Sequence, residues 1–131
     1  MRKDIEIPEV EEVYLAAVYV LNEQFESYEW NAYLINASSE ALEMALIVSR
    51  GFDKKKETST MRHKIEVLPA KNFAKIEFLQ EDVLKLNNEF KVTFFKNNKM
   101  YEKTFVFKAN SIRENARVQI PVIPEKGILA I

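Results

Sequence analysis

The stretch EFKVTFFKNNKMYEKTFVFK, residues 89–108, carries the pattern that decides the fold class of this chain. Apolar and polar side chains alternate on both sides of Lys96-Asn97-Asn98-Lys99, and a period of two is typical of half-buried β-strands. Asparagine tolerates the positive φ that a tight hairpin turn requires. The stretch therefore predicts two antiparallel strands that are joined at Asn97 and Asn98.

The same alternation recurs along the rest of the chain at intervals of about ten residues. The predicted strands are residues 13–21, 30–36, 42–50, 62–68, 73–78, the two arms of the hairpin at 89–108 and a last strand near 117–122, with one short helical turn at 80–86. Pro121 and Pro124 favour an edge position or an extended tail for the last strand. Seven to eight such strands predict an all-β fold, an antiparallel β-sandwich of immunoglobulin-like architecture, with a small barrel as the alternative.

Length and composition agree with one folded unit. The chain has 131 residues, of which 47% are hydrophobic and 30% are charged, and this is ordinary for a folded protein with one core. We expect a single sandwich domain over residues 1–131, with its core at about 10–108 and an extended tail or edge strand at 109–131. Trp30 and Leu34 share one face of the second strand, so Trp30 is the expected anchor of the core.

Charge is distributed unevenly along the sequence. No lysine or arginine occurs between Lys3 and Arg50, whereas residues 4–49 carry ten acidic side chains. From Arg50 onward seventeen basic residues stand against ten acidic ones, and the net charge of the chain is −1. Such asymmetry bears on association rather than on fold. If the acidic side chains face the basic cluster of another copy, the result is a head-to-tail contact, whereas a strand order that interleaves the two signs would erase the asymmetry.

Several classes of function are disfavoured by what the sequence lacks. There is no cysteine, and therefore no disulfide, thiolate nucleophile or zinc–thiolate site. With only Gly51 and Gly127, neither a P-loop nor a Rossmann turn can be assembled. No apolar run approaches the ~20 residues that span a bilayer, and residues 1–6 lack the apolar core of a signal peptide. We expect a cytoplasmic protein with no membrane contact and no cofactor.

A basic cluster between two predicted strands is the candidate binding site. It consists of Arg50, Lys54, Lys55, Lys56, Arg62 and Lys64. These cations match either the phosphates of nucleic acid or an acidic protein surface, and Phe52 adds a ring for stacking. A solvated loop that keeps the domain soluble is the alternative. Nucleic-acid binders are usually basic as a whole, so the pI of about 5.9 disfavours that partner.

We expect neither a catalytic site nor a metal site from the histidine and the acidic residues of this sequence. His63 is the only histidine, and its neighbours in the sequence supply neither a general-base partner nor further metal ligands. Glu23, Glu26 and Glu29 lack the glycine and the aspartate spacing of calcium loops. We predict that these acids pair with lysines of neighbouring strands or with the basic cluster of another copy.

Large side chains on the outer faces of the strands need a cover or a partner. Adjacent strand residues face opposite sides, so one ring of Phe94-Phe95 must point away from the core, and the same holds for Tyr33 beside Leu34. An outward ring predicts either a partner surface or a cover supplied by the tail or the helical turn. The apolar residues 127–131 fit a frayed end or strand addition to a sheet edge.

Two strand motifs carry a resemblance to a known family. They are VYLAAV at residues 13–18 and WNAYLINAS at residues 30–38. Further matches are Pro69, Phe73, Glu77, Phe94, Phe95, Lys96, Lys99 and Tyr101. Over roughly residues 10–108 the chain resembles an immunoglobulin-like β-sandwich domain that is found beside Smr domains in Bacteroidetes proteins. The chain holds no Smr nuclease domain, so the resemblance implies a fold and a bacterial cytoplasmic setting, and no activity.

Three classes of function follow from these features. The first is a non-catalytic protein-interaction module that binds a protein partner or a second copy. The second is a nucleic-acid-binding accessory domain that uses the basic cluster at residues 50–64. A small enzyme that runs on carboxylates, hydroxyls and one histidine is the least favoured, and we expect no catalytic residue and no metal ligand.

Overall fold

The computed structural model describes residues 9–131, which form eight strands and two short 3-10 helices. The strands are β1 (Val13–Asn22), β2 (Ser27–Asn36), β3 (Leu42–Phe52), β4 (Met61–Leu68), β5 (Asn72–Leu79), β6 (Asn87–Lys96), β7 (Lys99–Phe107) and β8 (Gly127–Leu129). The 3-10 helices are Glu81–Val83, inside the predicted helical turn, and Glu114–Ala116.

The strands form two four-stranded antiparallel sheets. Sheet A has the order β5-β2-β1-β8, and sheet B has the order β4-β3-β6-β7. The chain crosses between the sheets after β2, β4, β5 and β7, and crossing connections of this kind are typical of immunoglobulin-like sandwiches. The predicted all-β, immunoglobulin-like sandwich is therefore confirmed for the part of the chain that the structure describes.

The β6–β7 hairpin has the predicted turn and alternation. Asn97 and Asn98 have φ values of 54° and 61°, in the left-handed region that asparagine adopts more readily than most residues. Phe94 pairs with Tyr101 across the strands, and their rings stack with centroids 5.3 Å apart. Phe94 is buried while Phe95 is exposed, so one ring of this pair points away from the core.

The main core lies between the two sheets. Its members from sheet A include Leu15, Ala17, Trp30, Ala32 and Leu34, and those from sheet B include Ile47, Phe90, Val92, Phe94, Phe105 and Phe107. Each fully buried leucine, isoleucine, valine or phenylalanine side chain stabilises the fold by roughly 1.5–3 kcal/mol relative to exposure. Trp30 is buried, as predicted for the core anchor, and its ring lies 4.8 Å from that of Tyr19.

The last strand lies further along the chain than the sequence predicts. The prediction placed it near residues 117–122, whereas β8 begins at Gly127 and pairs with β1. Pro121 and Pro124 cannot donate ladder hydrogen bonds, and the segment before them makes only an isolated bridge, between Val118 and Gly127. The alternation of residues 117–122 is therefore not that of a strand.

Close main-chain contacts hold the end of the tail, residues 109–131, against both sheets. A Cβ atom on Gly127 would lie 2.6 Å from the carbonyl oxygen of Ala17, so only glycine permits this approach of β8 to β1. Ile131 exchanges two hydrogen bonds of 3.0 Å with Val106 of β7. The tail thereby joins an edge of sheet A to an edge of sheet B.

The tail also covers the outer face of sheet A. Ile120 and Ile123 are buried there in a second apolar cluster. The strand residues beneath them are Ala16, Val18 and Ile35. Tyr14 and Tyr33 pack at the margin of this cluster. Of the two predicted possibilities for Tyr33, a partner surface or a cover by the tail, the structure has the cover.

Part of the acidic half of the sequence lies outside the described residues. Asp4 and Glu6 belong to that part, so the acidic side chains are located in the structure only from Glu9 onward. Among residues 9–131 no helix is long and apolar enough to cross a membrane.

The buried isoleucines of the tail predict a loss of stability when they are truncated. We expect Ile123→Ala to lower the free energy of unfolding by about 2–4 kcal/mol, because it leaves a cavity over sheet A. The matched control Ile131→Ala, at an exposed position, should change it by less than about 0.5 kcal/mol. Urea unfolding followed by the fluorescence of Trp30, the only tryptophan, measures both. Equal effects would contradict the packing of the tail on sheet A.

Candidate functional site

Arg50, the first residue of the predicted basic cluster, is engaged by carboxylates of its own chain. Its Nε donates to Oε1 of Glu89 at 3.0 Å, and its Nη1 lies 3.3 Å from Oε2 of Glu57. The hydrogen bond with Glu89 raises the pKa of Arg50. Its guanidinium carbon also lies 4.4 Å from the ring centroid of Phe52. Little of its charge therefore remains for an external phosphate.

The three consecutive lysines of the cluster form an exposed turn beyond the end of β3, which we call the basic turn (Lys54–Lys56). Asp53 fixes its shape, since the Oδ1 atom accepts the backbone N–H groups of Lys55 and Lys56 at 2.7 and 2.8 Å. These hydrogen bonds lower the pKa of the Asp53 carboxyl. The lysine side chains thus project into solvent from an ordered backbone.

Arg62 and Lys64 lie on β4, where both are exposed on the outer face of sheet B. Their strand partners on β3 are Val48 and Leu46. The structure places the six predicted residues along one hairpin but divides them between its outer face and its turn. The acidic side chains that lie among them are Glu57, Glu66 and Glu89.

His63 has a partner that sequence reasoning missed. Its Nε2 lies 2.8 Å from Oε1 of Glu77 on β5, and the same oxygen accepts a hydrogen bond from Oγ of Ser49 at 2.7 Å. Ser49 is buried, and the side chains of His63 and Glu77 are mostly buried. Because 28 residues separate Ser49 from Glu77, only the fold brings this cluster together.

The cluster is not arranged as a nucleophile with its general base. A hydrolytic triad places the histidine in contact with the hydroxyl and the carboxylate behind the histidine. Here the carboxylate of Glu77 stands between Ser49 and His63, because both bind the same oxygen. Glu77 instead ties β5 of sheet A to β3 and β4 of sheet B.

An open cleft of about 380 Å³ lies beside this cluster, at the end of the sandwich where β3 and β5 end. Its polar side chains mostly form hydrogen bonds with the backbone of their own chain. Thr58 Oγ1 accepts the backbone N–H of Gly51 at 2.8 Å, and Asn88 Nδ2 donates to the carbonyl of Val83 at 2.8 Å. These hydrogen bonds close the end of the sandwich, and they leave few convergent groups for a ligand.

A second cleft, of about 360 Å³, has a wall of stacked aromatic rings. Tyr19 stacks on Tyr28 with centroids 5.3 Å apart, and it tilts against Trp30 at 4.8 Å. In the register of β1 and β2, Tyr19 pairs with Trp30 and Leu21 pairs with Tyr28. These side chains continue the inward face of the hairpin beyond the main core, and Phe78 lines the cleft beside them.

Large apolar side chains remain exposed to water at the end of the sandwich that carries this second cleft, and two of them, Tyr28 and Phe78, line it. Phe25 in the β1–β2 turn is 70% exposed and Tyr28 is 59% exposed. Leu21 and Phe78 are each about half exposed, at 49% and 48%. We call these four side chains, together with the cleft, the aromatic end.

Acidic residues dominate the charge around the aromatic end. The charged residues that line the cleft are Glu29, Glu81, Arg113 and Glu114. Glu23 and Glu26, which we call the acidic turn, are exposed in the β1–β2 turn. Burial, and after it the carboxylate of Glu114, raises the pKa of Tyr19. The aromatic end therefore presents a mainly negative rim.

The acidic and basic parts of the sequence do not form opposite poles. β5 ends beside the start of β2, and β3 ends beside the start of β6, the strand that follows β5 in the chain. The segment after β5 therefore lies between the acidic turn and the basic turn. Both turns therefore stand at the same end of the sandwich. The head-to-tail contact that the sequence suggests would not bring them together.

Sequence reasoning placed Glu29 in a loop and did not find the aromatic end. The predicted second strand began at Trp30, whereas β2 begins at Ser27 and includes Tyr28 and Glu29. The signal was present, because Tyr28 stands two positions before Trp30 and continues its face. The residues before Tyr28, Glu26 and Ser27, are both polar, so the apolar alternation did not extend further toward the turn.

No family model, curated protein or solved structure matches this chain. The resemblance to the sandwich domains beside Smr domains therefore stays a prediction. Within residues 9–131, no group of three or more histidine, cysteine, aspartate or glutamate side chains is placed to hold a metal ion. The function has to be argued from the geometry of the surface.

Glu77 joins Ser49 and His63 through one carboxylate oxygen, a contact that we call the Glu77 bridge. Removing this carboxylate should destabilise the fold, whereas removing a surface glutamate should not. Glu77→Ala leaves the hydroxyl of Ser49 and the ring of His63 without their acceptor, and we expect a loss of about 1–3 kcal/mol in the free energy of unfolding. The control Glu66→Ala, at an exposed position of β4, should stay within about 0.5 kcal/mol.

A double-mutant cycle separates the bridge from general disruption. Once Glu77 is alanine, Ser49→Ala should cost much less than it costs alone, because the two share one hydrogen bond. Urea unfolding of the four chains gives the coupling. Additive effects of the two substitutions would contradict the bridge.

Proposed function

We propose that this protein is a non-catalytic protein-interaction module whose binding surface is the aromatic end. The observation that carries the proposal is the exposure of four large apolar side chains at one end of the sandwich, two of which, Tyr28 and Phe78, line the second cleft. The four are Leu21, Phe25, Tyr28 and Phe78. Clustered apolar side chains on a folded surface mark sites of contact, and aromatic residues are enriched where proteins meet.

The shape of the surface supports a specific partner. The cleft of about 360 Å³ is large enough to receive a partner side chain. Tyr19 is held between Tyr28 and Trp30, so part of the wall is ordered before binding and little additional entropy is lost there. The mainly negative rim disfavours acidic partners and orients basic ones.

A second apolar patch lies on sheet B. Its exposed members are Met44, Leu46, Val67, Phe95 and Met100. Lys64 pairs with Leu46 on β3, and Glu102 lies one strand further on β7, so charges interrupt the patch on a pleated face. It offers a less defined contact, which is why we assign the aromatic end.

Binding of nucleic acid through the basic cluster has less support. The exposed basic turn fits phosphates, but Arg50 is paired with Glu57 and Glu89. The rings best placed to stack on bases stand at the aromatic end, among carboxylates that repel a phosphate backbone. Steep weakening of binding by salt would mark this alternative.

The absence of catalysis from the proposal is supported by the hydrogen bonds that candidate catalytic side chains form within the chain. The histidine and the buried serine that a small hydrolase would need are both bound to Glu77, which joins the sheets. The polar side chains of the neighbouring cleft likewise bind their own backbone. These groups are explained by the stability of the fold.

A photo-crosslinking residue at position 28 tests the assigned surface in the cells that produce the protein. We expect Tyr28→p-benzoylphenylalanine to give a discrete protein adduct, because the side chain lies in the contact. The same residue at Lys99, exposed on β7 at the other end of the sandwich, is the control.

The adduct must then be reproduced with purified components. The protein identified by mass spectrometry should bind the unmodified chain, and Tyr28→Ser should weaken that binding at least about tenfold. Adducts that are equal at positions 28 and 99, or none at all, would overturn the assignment of the aromatic end.

A further inference from the structure

We propose that two copies of this chain form a two-fold symmetric dimer through the aromatic end, in which the basic turn of each copy faces the acidic turn of the other. This inference rests on the proposed function, because it names a second copy as the occupant of the same surface. It departs from the head-to-tail contact that the charge distribution along the sequence suggests.

The first support is the position of the two turns. The acidic turn (Glu23, Glu26) extends β1 and β2 past the second cleft, and the basic turn extends β3 past the first cleft, the one beside Glu77. The segment from Phe78 to Val83 contributes to both clefts or lies between them. Opposite charges therefore flank one apolar surface at one end of the molecule.

The second support is that neither turn forms an ion pair with another described residue, 9–131. All five side chains, those of Glu23, Glu26 and the three lysines of the basic turn, belong to exposed residues. Asp53 orders the backbone of the basic turn, so presenting these lysines costs little further entropy.

Symmetry decides how two such surfaces can meet. A two-fold axis that passes between the two turns, perpendicular to the line that joins them, places each basic turn against an acidic turn, and one operation satisfies both pairs at once. Translation along the sandwich would instead set both turns against the far end, where Lys96 and Lys99 stand together with Glu11, Glu12 and Glu40. That arrangement would give each turn neighbours of both signs and would not bring the two turns together.

The apolar side chains supply the contact area between the charged pairs. The four apolar side chains of the aromatic end are between 48% and 70% exposed. The two-fold contact removes them from water. Their burial provides the affinity, and the charges select the orientation. A net charge of −1 leaves little overall repulsion between copies.

Sedimentation equilibrium of the full chain tests the dimer. At ~50 mM salt we expect twice the chain mass of 15.3 kDa, and at ~0.5 M salt, where screening reaches about 4–5 Å, at least tenfold weaker association. Reversal of the basic turn (Lys54→Glu, Lys55→Glu, Lys56→Glu) and reversal of the acidic turn (Glu23→Lys, Glu26→Lys) should each weaken the dimer at least about tenfold.

The decisive arm mixes the two reversed variants in equal amounts. Their charges are then complementary at both pairs, so a heterodimer should form with affinity within a few-fold of the unmodified dimer. The matched control reverses three exposed lysines away from the aromatic end, Lys75, Lys99 and Lys103, and should stay dimeric. Urea unfolding followed by Trp30 confirms that every variant is folded.

Three results would overturn the proposal. They are a single-chain mass at ~50 mM salt, a mass that rises with concentration beyond two copies, and variants that remain monomeric when mixed. The crosslinking experiment at position 28 separates a failure of the dimer proposal from a failure of the proposed function. A monomer that still forms a specific adduct with another protein there rejects the second copy alone, whereas a monomer without an adduct rejects both.

Discussion

Strand β1 is buried on both of its faces, because the main core covers one face and the tail covers the other. Leu15 and Ala17 pack between the sheets, whereas Ala16 and Val18 pack beneath Ile120 and Ile123. Two sheets alone cannot bury both faces of such a strand, because without the tail its outer residues would face water. The last part of the chain is therefore needed to complete the burial of the first strand.

The two open sides of the sandwich are closed by different chemistry. On one side, main-chain hydrogen bonds carry the tail from β1 through β8 to Val106 of β7. On the other side, the carboxylate of Glu77 joins β5 to Ser49 and His63. Ser49 and His63 share this one acceptor in a mostly buried place. Its loss would leave both side chains unpaired, and an unpaired polar group there is costly. The second closure is therefore the more sensitive to a single substitution.

The parts of the fold that were predicted are those whose signal is local. The alternation around Asn97 and Asn98 and the face that carries Trp30 each lie within a few residues of sequence. The tail strand was misplaced because β8 has three residues and owes its existence to β1, more than a hundred positions earlier. Glu77 and His63 could not be paired from sequence, since nothing local indicates which strands become the neighbouring edges of two sheets.

The shared end of the two charged turns follows from the direction of the strands. β1 and β5 run the same way within sheet A, and the clefts place the end of β3 beside the end of β5. Charges that are far apart in sequence are thereby gathered at one end with opposite signs. At physiological salt the screening length is about 8 Å, so such mixed charge has a weak field at a distance. A partner bound at this end, as we propose, would therefore be recognised at short range, with the exposed rings setting the affinity and the charges setting the orientation.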